Sequence, residues 1–214
     1  MKKIAILALL ALVTTGAFAQ IEMSAGGGLF LDYSANNGFN IDGGYFLGER
    51  IFSFGGFVFF DANYIEVDLG FSYGSPTFYG KGTGFSSSSD GGSYTQVNLS
   101  LLGKYPMEMG IITFFPLIGI HYNWVLSWKD PSNGIVYTDQ VGEYNSQFGI
   151  LGGVGLDYNL TDALYLRGEA LFHLRFPMKG WKELAKEFEE TNFFKTDATL
   201  GVGPQIKVAL GYRF

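Results

Sequence analysis

Apolar and polar residues alternate strictly along several segments of this 214-residue chain. Residues 65–73 read IEVDLGFSY, residues 94–105 read YTQVNLSLLGKY, and residues 199–214 read TLGVGPQIKVALGYRF. A period of two puts successive side chains on opposite faces of a β-strand, and a one-residue shift would exchange the faces. The alternation therefore predicts strands that separate an apolar environment from a polar one.

Eight segments of this kind follow residue 20, and their connections alternate between short and long. The segments are 21–34, 50–61, 63–73, 93–105, 110–128, 143–159, 163–177 and 196–214. The short connections are 62, 106–109 and 160–162, and the long ones are 35–49, 74–92, 129–142 and 178–195. Short periplasmic turns and longer extracellular loops are typical of outer-membrane barrels, whereas such long loops are uncommon in compact soluble domains. We therefore predict an all-β fold, an eight-stranded antiparallel up-and-down transmembrane β-barrel. The two faces of the second segment cannot be ranked by polarity, because both carry phenylalanines.

The first nineteen residues have the pattern of a secretory signal peptide. Lys2 and Lys3 precede an apolar run from Ile4 to Val13, and Ala17 and Ala19 occupy the −3 and −1 positions before Gln20. The run is too short to span about 30 Å of hydrocarbon as a helix. We predict export through the Sec pathway, removal of residues 1–19, and a barrel domain over residues 20–214.

The composition argues against several other classes of protein. Hydrophobic residues make up 47% of the chain and charged residues 16%, against the roughly 25% charged residues of average proteins. This balance argues against disorder, and a net charge of −6 argues against a nucleic-acid partner. The chain has no cysteine, which removes disulfide scaffolds, thiolate metal sites and a cysteine nucleophile.

Two segments resemble a known family. The C-terminal KVALGYRF is similar to the assembly signal of bacterial outer-membrane barrels, with Lys207, Tyr212 and Phe214 matching and Ala209 standing where Gly is usual. GLDYNLTDALYLRGEALF, residues 155–172, resembles the strand–turn–strand unit of small eight-stranded barrels of the OmpX, OmpW and OmpA-barrel type. The resemblance implies insertion into the bacterial outer membrane by the barrel-assembly machinery, which would engage the C-terminal strand.

The inward faces of the predicted strands carry charges of both signs. An eight-stranded barrel has an interior that side chains just fill, and buried charges persist when they are paired. We predict a polar network that closes the lumen in its periplasmic half, formed by Glu66, Lys104, Arg167, Glu169, Lys207 and Arg213. A narrow conduit through the same lumen is the alternative.

The two histidines are the residues whose ordinary pKa suits acid–base chemistry near neutral pH. His121 and His173 are predicted to face the upper lumen, with Glu143 or Glu169 within reach. Some small barrels are lipid-modifying enzymes, but no Ser–His–acid constellation occurs here at a defined spacing. No metal-ligand spacing, phosphate loop or nucleophile elbow occurs either. We predict no catalytic residue, no metal and no cofactor.

The outer face and one loop carry further candidate residues. Trp124, Trp128, Tyr158 and Tyr212 are predicted to lie at the two membrane interfaces, where amphipathic rings meet lipid headgroups. In residues 180–190, Trp181, Leu184 and Phe188 follow helical spacing, which predicts a short amphipathic helix. A cap over the barrel mouth is the simpler role for this helix, and contact with lipid or a partner is the alternative.

The predicted function is non-enzymatic. We expect a barrel that contributes to envelope integrity and to surface interaction through four extracellular loops. The main alternative, implied by the resemblance to OmpW, is a narrow porin-like channel or a binding site for small hydrophobic molecules. An adhesin, a lipid-modifying enzyme and a soluble lipocalin-like barrel are further alternatives.

Overall fold

The computed structural model describes residues 22–41, 44–82, 85–139, 141–192 and 196–214, so the predicted signal peptide lies outside the described residues. These ranges form the strands β1 Met23–Ile41, β2 Tyr45–Ala62, β3 Ile65–Gly82, β4 Phe85–Asp90, β5 Ser93–Lys104, β6 Met107–Met109, β7 Ile112–Lys129, β8 Val136–Tyr137, β9 Gln147–Asn159, β10 Leu164–Arg175, β11 Thr196–Thr199 and β12 Gly201–Arg213. The helices within them are α1 Val141–Asn145 and α2 Lys179–Asn192.

Eight of the strands form a closed antiparallel ring in the order β1, β2, β3, β5, β7, β9, β10, β12. Closure is made by β1, which pairs with β2 on one side and with β12 on the other. The backbone N–H of Phe214 donates to the carbonyl of Met23 at 3.1 Å, so both ends of the ring meet at the rim with the short turns. The predicted eight-stranded up-and-down barrel is confirmed.

The wall is apolar outside and polar inside. In β2, Phe54 is 55% exposed whereas Phe59 is 3% exposed, which settles the face assignment that the sequence left open. Ile51, Ser53, Phe57 and Asp61 share the inward face with Phe59. Since alternate residues of every ring strand follow this pattern, the outer wall offers apolar side chains to hydrocarbon.

Two of the predicted long loops are instead extensions of the sheet. Residues 35–49, predicted as a loop, continue β1 to Ile41 and start β2 at Tyr45, with a register shift between Ser34 and Asn37. Residues 74–92, also predicted as a loop, continue β3 and return as β4. A hairpin that continues beyond the membrane still pairs its backbone N–H and C=O groups, so polar composition alone does not end a strand.

Smaller corrections concern the other connections. The predicted turn 106–109 includes β6, which pairs with β7. The predicted strand 143–159 begins only at Gln147, because residues 141–145 form α1. The tight turn after β2 lies at Asn63, whose φ of 58° is in the left-handed region that Asn tolerates.

Helix α2 lies against the sheet that extends above the long-loop end of the barrel. Phe39, Ile41 and Ala185 form a buried cluster, and Trp181 packs against it with its ring centroid 5.9 Å from that of Phe39. The side chain of Phe188, the third predicted residue of this helix face, lies outside the described residues. Within the described ranges, neither helix is long and apolar enough to cross a membrane.

Candidate functional site: the charged barrel interior

Arg167 on β10 is the centre of the barrel interior near the short-turn end. Its Nε and Nη2 donate to the two oxygens of Asp157 at 2.7 and 2.8 Å, and Nη2 also donates to Asp61 at 2.7 Å. Its Nη1 donates to Glu66 on β3. In the eight-membered ring β3 lies opposite β10, so the Arg167–Glu66 pair spans the full diameter of the lumen. One guanidinium thus connects strands from opposite walls.

Three aromatic rings surround this guanidinium. The Arg167 Cζ lies 4.6 Å from the ring centroid of Phe59, 5.1 Å from that of Phe115 and 5.2 Å from that of Tyr165. Cation–π attraction of this kind is worth about 2 kcal/mol or more where water is excluded. The Tyr165 hydroxyl hydrogen-bonds the Ser24 hydroxyl at 2.7 Å, which fixes the ring.

A glycine faces each of the three rings across the adjoining strand pair. Phe59 lies opposite Gly26, Phe115 opposite Gly155, and Tyr165 opposite Gly211. A Cβ on any of these glycines would approach the facing ring to 2.1–2.5 Å. Glycine at these positions therefore provides the room for the aromatic layer inside a narrow barrel.

Two lysines extend the network. Lys104 pairs with Asp61, while Lys207 pairs with Asp68 and lies 3.2 Å from Glu169. With Arg167, three cations face five carboxylates: Asp61, Glu66, Asp68, Asp157 and Glu169. Buried charges in this arrangement are stabilised mainly by one another. Loss of Arg167 would therefore leave Glu66 and Asp157 without their main cation, and loss of Lys207 would do the same to Asp68 and Glu169.

Oxygens of Glu66, Asp68 and Glu169 lie within 4.8 Å of one another, which is a spacing that a metal ion could occupy. The cations Lys207 and Arg167 already pair with these carboxylates. Ammonium and guanidinium groups thus supply the positive charge that a metal would bring. The geometry favours a structural ion-pair cluster.

A second polar layer lies toward the long-loop end. Arg175 pairs with Asp32, and the Asp32 carboxylate lies 3.3 Å from His173 Nδ1. His173 and His121 stack with ring centroids 5.8 Å apart. Glu143, predicted to lie within reach of a histidine, is instead on α1 and pairs with Lys179. Among the described residues, His121 Nε2 and both His173 nitrogens have no hydrogen-bond partner, so no base–nucleophile pair is formed here.

The predicted network residues fall into two groups. Glu66, Lys104, Arg167, Glu169 and Lys207 are in the buried cluster, while Arg213 is at the rim, with its side chain 24% exposed and 4.0 Å from Asp157. Sequence reasoning did not find Asp61, because the faces of β2 could not be ranked. It also missed the aromatic rings around Arg167, for which the facing glycines were the available signal.

The predicted interface aromatics do not all lie on the outer wall. Trp124, Tyr158 and Tyr212 are exposed outward, as is Phe214 at the last position. Trp128 instead packs inward against Tyr94 and donates its Nε1–H to the Gly91 carbonyl at 2.8 Å. The reason is a register shift: on β5 Thr95 pairs with Ser127 and Gln96 pairs with Val125, so β7 has one extra residue at this point. The extra residue exchanges the inward and outward faces of β7 before Trp128.

Comparison with solved structures supports the fold. No protein-family model matches the chain, and no curated protein matches it by sequence. The outer membrane protein OprG from Pseudomonas aeruginosa is similar with a TM-score of 0.50 and 12% identity, over 91% of this chain and 96% of that one. The chain has the fold of a bacterial outer-membrane β-barrel. Such barrels combine an apolar outer band with a polar interior, and the bacterial outer membrane is the location that this wall and this fold indicate.

Two further structures align with the barrel at lower scores. The N-terminal β-barrel domain of Pseudomonas aeruginosa OprF aligns with a TM-score of 0.40 and 12% identity, over 91% of this chain and 100% of that one. Ail, the attachment invasion locus protein of Yersinia pestis, aligns with a TM-score of 0.41 and 12% identity, over 91% of this chain and 99% of that one.

Proposed function

We propose that this protein is a closed outer-membrane barrel that contributes to envelope integrity and presents a structured extracellular surface. The observation that carries the proposal is the Arg167–Glu66 pair, which crosses the whole lumen inside a ring of aromatic side chains. A conducting pore would need a continuous path lined by water-accessible groups. Here Arg167 is 2% exposed and Glu66 is fully buried.

The extracellular end supports the second part of the proposal. The extended β1–β2 hairpin, strand β4 and helix α2 together form a folded layer above the membrane. Ordered backbone pairing and the cluster around Phe39 and Trp181 hold this layer in one arrangement. A rigid surface loses less conformational entropy on binding than a flexible loop does.

Conductance of the folded barrel in planar bilayers tests closure. We expect no steady conductance from the wild type, and discrete openings from a Lys104→Ala/Lys207→Ala variant that also lacks residues 179–192, because it loses two of the cations closing the lumen and the helix at the mouth. The chain that lacks residues 179–192 alone keeps both lysines, is the matched control and should stay silent. Steady wild-type conductance of hydrated ions would refute a closed lumen.

A cellular measurement tests the envelope role. Bacteria that lack the protein should become more sensitive to detergent, and expression of the whole chain should restore resistance. A chain that lacks residues 179–192 separates the two roles, since it keeps the barrel strands but loses α2. Unchanged detergent sensitivity in the deletion strain would contradict the envelope role.

A cavity at the mouth favours a second function, binding of a small hydrophobic molecule. It has a volume of about 340 Å³ and is lined mainly by apolar groups: Phe78, Tyr94, Trp181, Leu184, the Gly180 backbone, Asn145 and Glu49. Glu49 is fully buried, and its Oε1 accepts a hydrogen bond from Trp181 Nε1–H at 3.4 Å. Its Oε2 has no hydrogen-bond partner within the described ranges.

This lining suits a molecule with an apolar body and one hydrogen-bond donor. Titration of the barrel in lipid nanodiscs with 1-octanol, followed by tryptophan emission, tests the site. We expect a saturable change in the wild type and its loss in Leu184→Trp, which fills the cavity. Glu49→Gln should weaken binding while leaving the barrel folded. A response that does not saturate, or that persists in Leu184→Trp, would exclude this site.

A further inference from the structure

The outer wall formed by β2 and β3 carries two exposed basic residues above its apolar band. Arg50 is on β2 opposite Thr77, and Lys81 is on β3 opposite Phe46. Tyr79 lies between them, two residues from Lys81 on the same face of β3 and opposite Gly48. The two cations therefore lie on either side of one aromatic ring on the outward face.

Aromatic contacts hold the guanidinium of Arg50 in place. The Arg50 Cζ lies 4.5 Å above the Tyr79 ring centroid, and the Phe46 ring lies 5.2 Å from that of Tyr79. Strand β4 continues the same face, because Ser88 is opposite Tyr79 and Ser86 is opposite Lys81. Hydroxyl groups thus lie beside two cations on one surface.

The basic residues of this face lack the carboxylate partners that the basic residues of the lumen have. Lys104, Arg167, Arg175 and Lys207 all pair with carboxylates, whereas Arg50 and Lys81 form no ion pair within the described residues. Asp90 on β4 shares the face opposite Thr77, and its Oδ1 accepts the Gly92 N–H at 2.8 Å. The surface therefore keeps a net positive charge although the whole chain is acidic.

The height of Arg50 matches the headgroup layer. On β3 the apolar outward positions begin at Ile65 and the band ends at Ser75, which is opposite Phe52. Ten residues at about 3.3 Å, tilted by about 40°, give a height of about 25 Å, which is that of the apolar band in barrels of this kind. Arg50 is the next outward residue of β2 beyond Phe52, so its guanidinium lies just above the hydrocarbon.

We propose that Arg50, Tyr79 and Lys81 form a binding site for the phosphate of an anionic lipid headgroup in the extracellular leaflet. The guanidinium offers two parallel donors to phosphate oxygens, and Lys81 adds a point charge. The serine hydroxyls of β4 supply further donors. The inference rests on the proposed membrane orientation, with α2 on the extracellular side.

Lipid selectivity of the folded full-length barrel tests this site. The barrel is reconstituted in phosphatidylcholine vesicles that contain spin-labelled phosphatidic acid or, in parallel, spin-labelled phosphatidylcholine, and the immobilised fraction of each label is measured. One basic residue near an anionic lipid is worth about fivefold in association. We expect the wild type to prefer phosphatidic acid by about fivefold or more, and Arg50→Gln/Lys81→Gln to show a ratio of about one. High salt should reduce the preference.

A matched control removes the same number of exposed charges elsewhere. Lys129→Gln/Lys182→Gln loses one lysine at the end of β7 and one on α2, and should retain the preference for phosphatidic acid. A preference kept by Arg50→Gln/Lys81→Gln, or lost equally in the control, would overturn the site. Normal insertion without any preference would overturn this site alone, whereas failure to insert into vesicles would overturn the proposed membrane barrel as well.

Discussion

Replacement of Arg167 by Met is the sharpest test of the buried ion-pair cluster. The change keeps an apolar stem among Phe59, Phe115 and Tyr165 but removes four charge-assisted hydrogen bonds. Lys104 still pairs with Asp61, so the carboxylates that lose their main cation are Glu66 and Asp157.

The expected loss in the free energy of unfolding follows from these two carboxylates, which no longer have their main cation. Four hydrogen bonds to charged groups at about 1.5–3 kcal/mol each would sum to about 6–12 kcal/mol. Asp157 lines an open cavity of about 230 Å³ at the short-turn rim, where water can solvate it again. Only Glu66 stays fully shielded, so we expect a loss of about 3–5 kcal/mol, typical of a broken buried pair.

Urea unfolding of the barrel in lipid vesicles, read from the gel mobility of unheated samples, measures this loss. Arg167→Lys keeps the charge but not the planar fork that binds Asp157, so it should recover only part of the stability. Arg167→Met/Asp157→Asn should be more stable than Arg167→Met alone. Lys186→Met is the control, and should cost less than about 1 kcal/mol, because its ion pair with Glu190 on α2 is 3.7 Å long and largely exposed. An Arg167→Met barrel within about 1 kcal/mol of the wild type would refute the reasoning.

Two further predictions concern packing and a loop. Gly155→Ala should destabilise the barrel by about 1–3 kcal/mol in the same assay, because its Cβ would meet the Phe115 ring at 2.1 Å. Gly168→Ala, with open space around the new Cβ, should be close to neutral. Hydrogen bonds from the Ser132 side chain and backbone N–H lower the pKa of Asp130 below its usual 3.8. Ser132→Ala should raise that pKa, which an NMR titration of the carboxyl carbon would detect. Because the folded-state pKa is lowered, the loop is stabilised above the unfolded-state pKa and loses this stability as the pH falls.

The strands in the membrane were predictable from the sequence, because hydrocarbon on one side and charges on the other enforce a strict period of two. Above the membrane that constraint ends, since both faces of a hairpin meet water or protein. The residues 35–49 and 74–92 therefore lost their alternation signal while keeping their backbone pairing. The inward position of Trp128 was not predicted for a related reason. A single extra residue in β7 exchanges its inward and outward faces, and the composition of the segment does not show such an insertion.

The interior was predictable residue by residue where the opposite face was clearly apolar. Glu66 and Arg167 could be assigned inward because Val67 and Leu166 flank them. Asp61 could not, because phenylalanines occupy both faces of β2. Which cation meets which carboxylate depends on the ring closure and the stagger of the strands, and these follow from pairing between segments far apart in sequence.

Under the proposed closure, two separate levels block the lumen, and this places any specific function at the outside of the barrel. Arg167 and the aromatic side chains around it close the half near the short turns. Helix α2 covers the mouth through Trp181 and Ala185. A substitution that loosens one level leaves the other in place, so neither a mobile helix nor a broken ion pair alone creates a continuous channel. A partner would then bind at surfaces that it reaches without passing through the barrel. These are the cavity at the mouth and the basic face of β2 and β3.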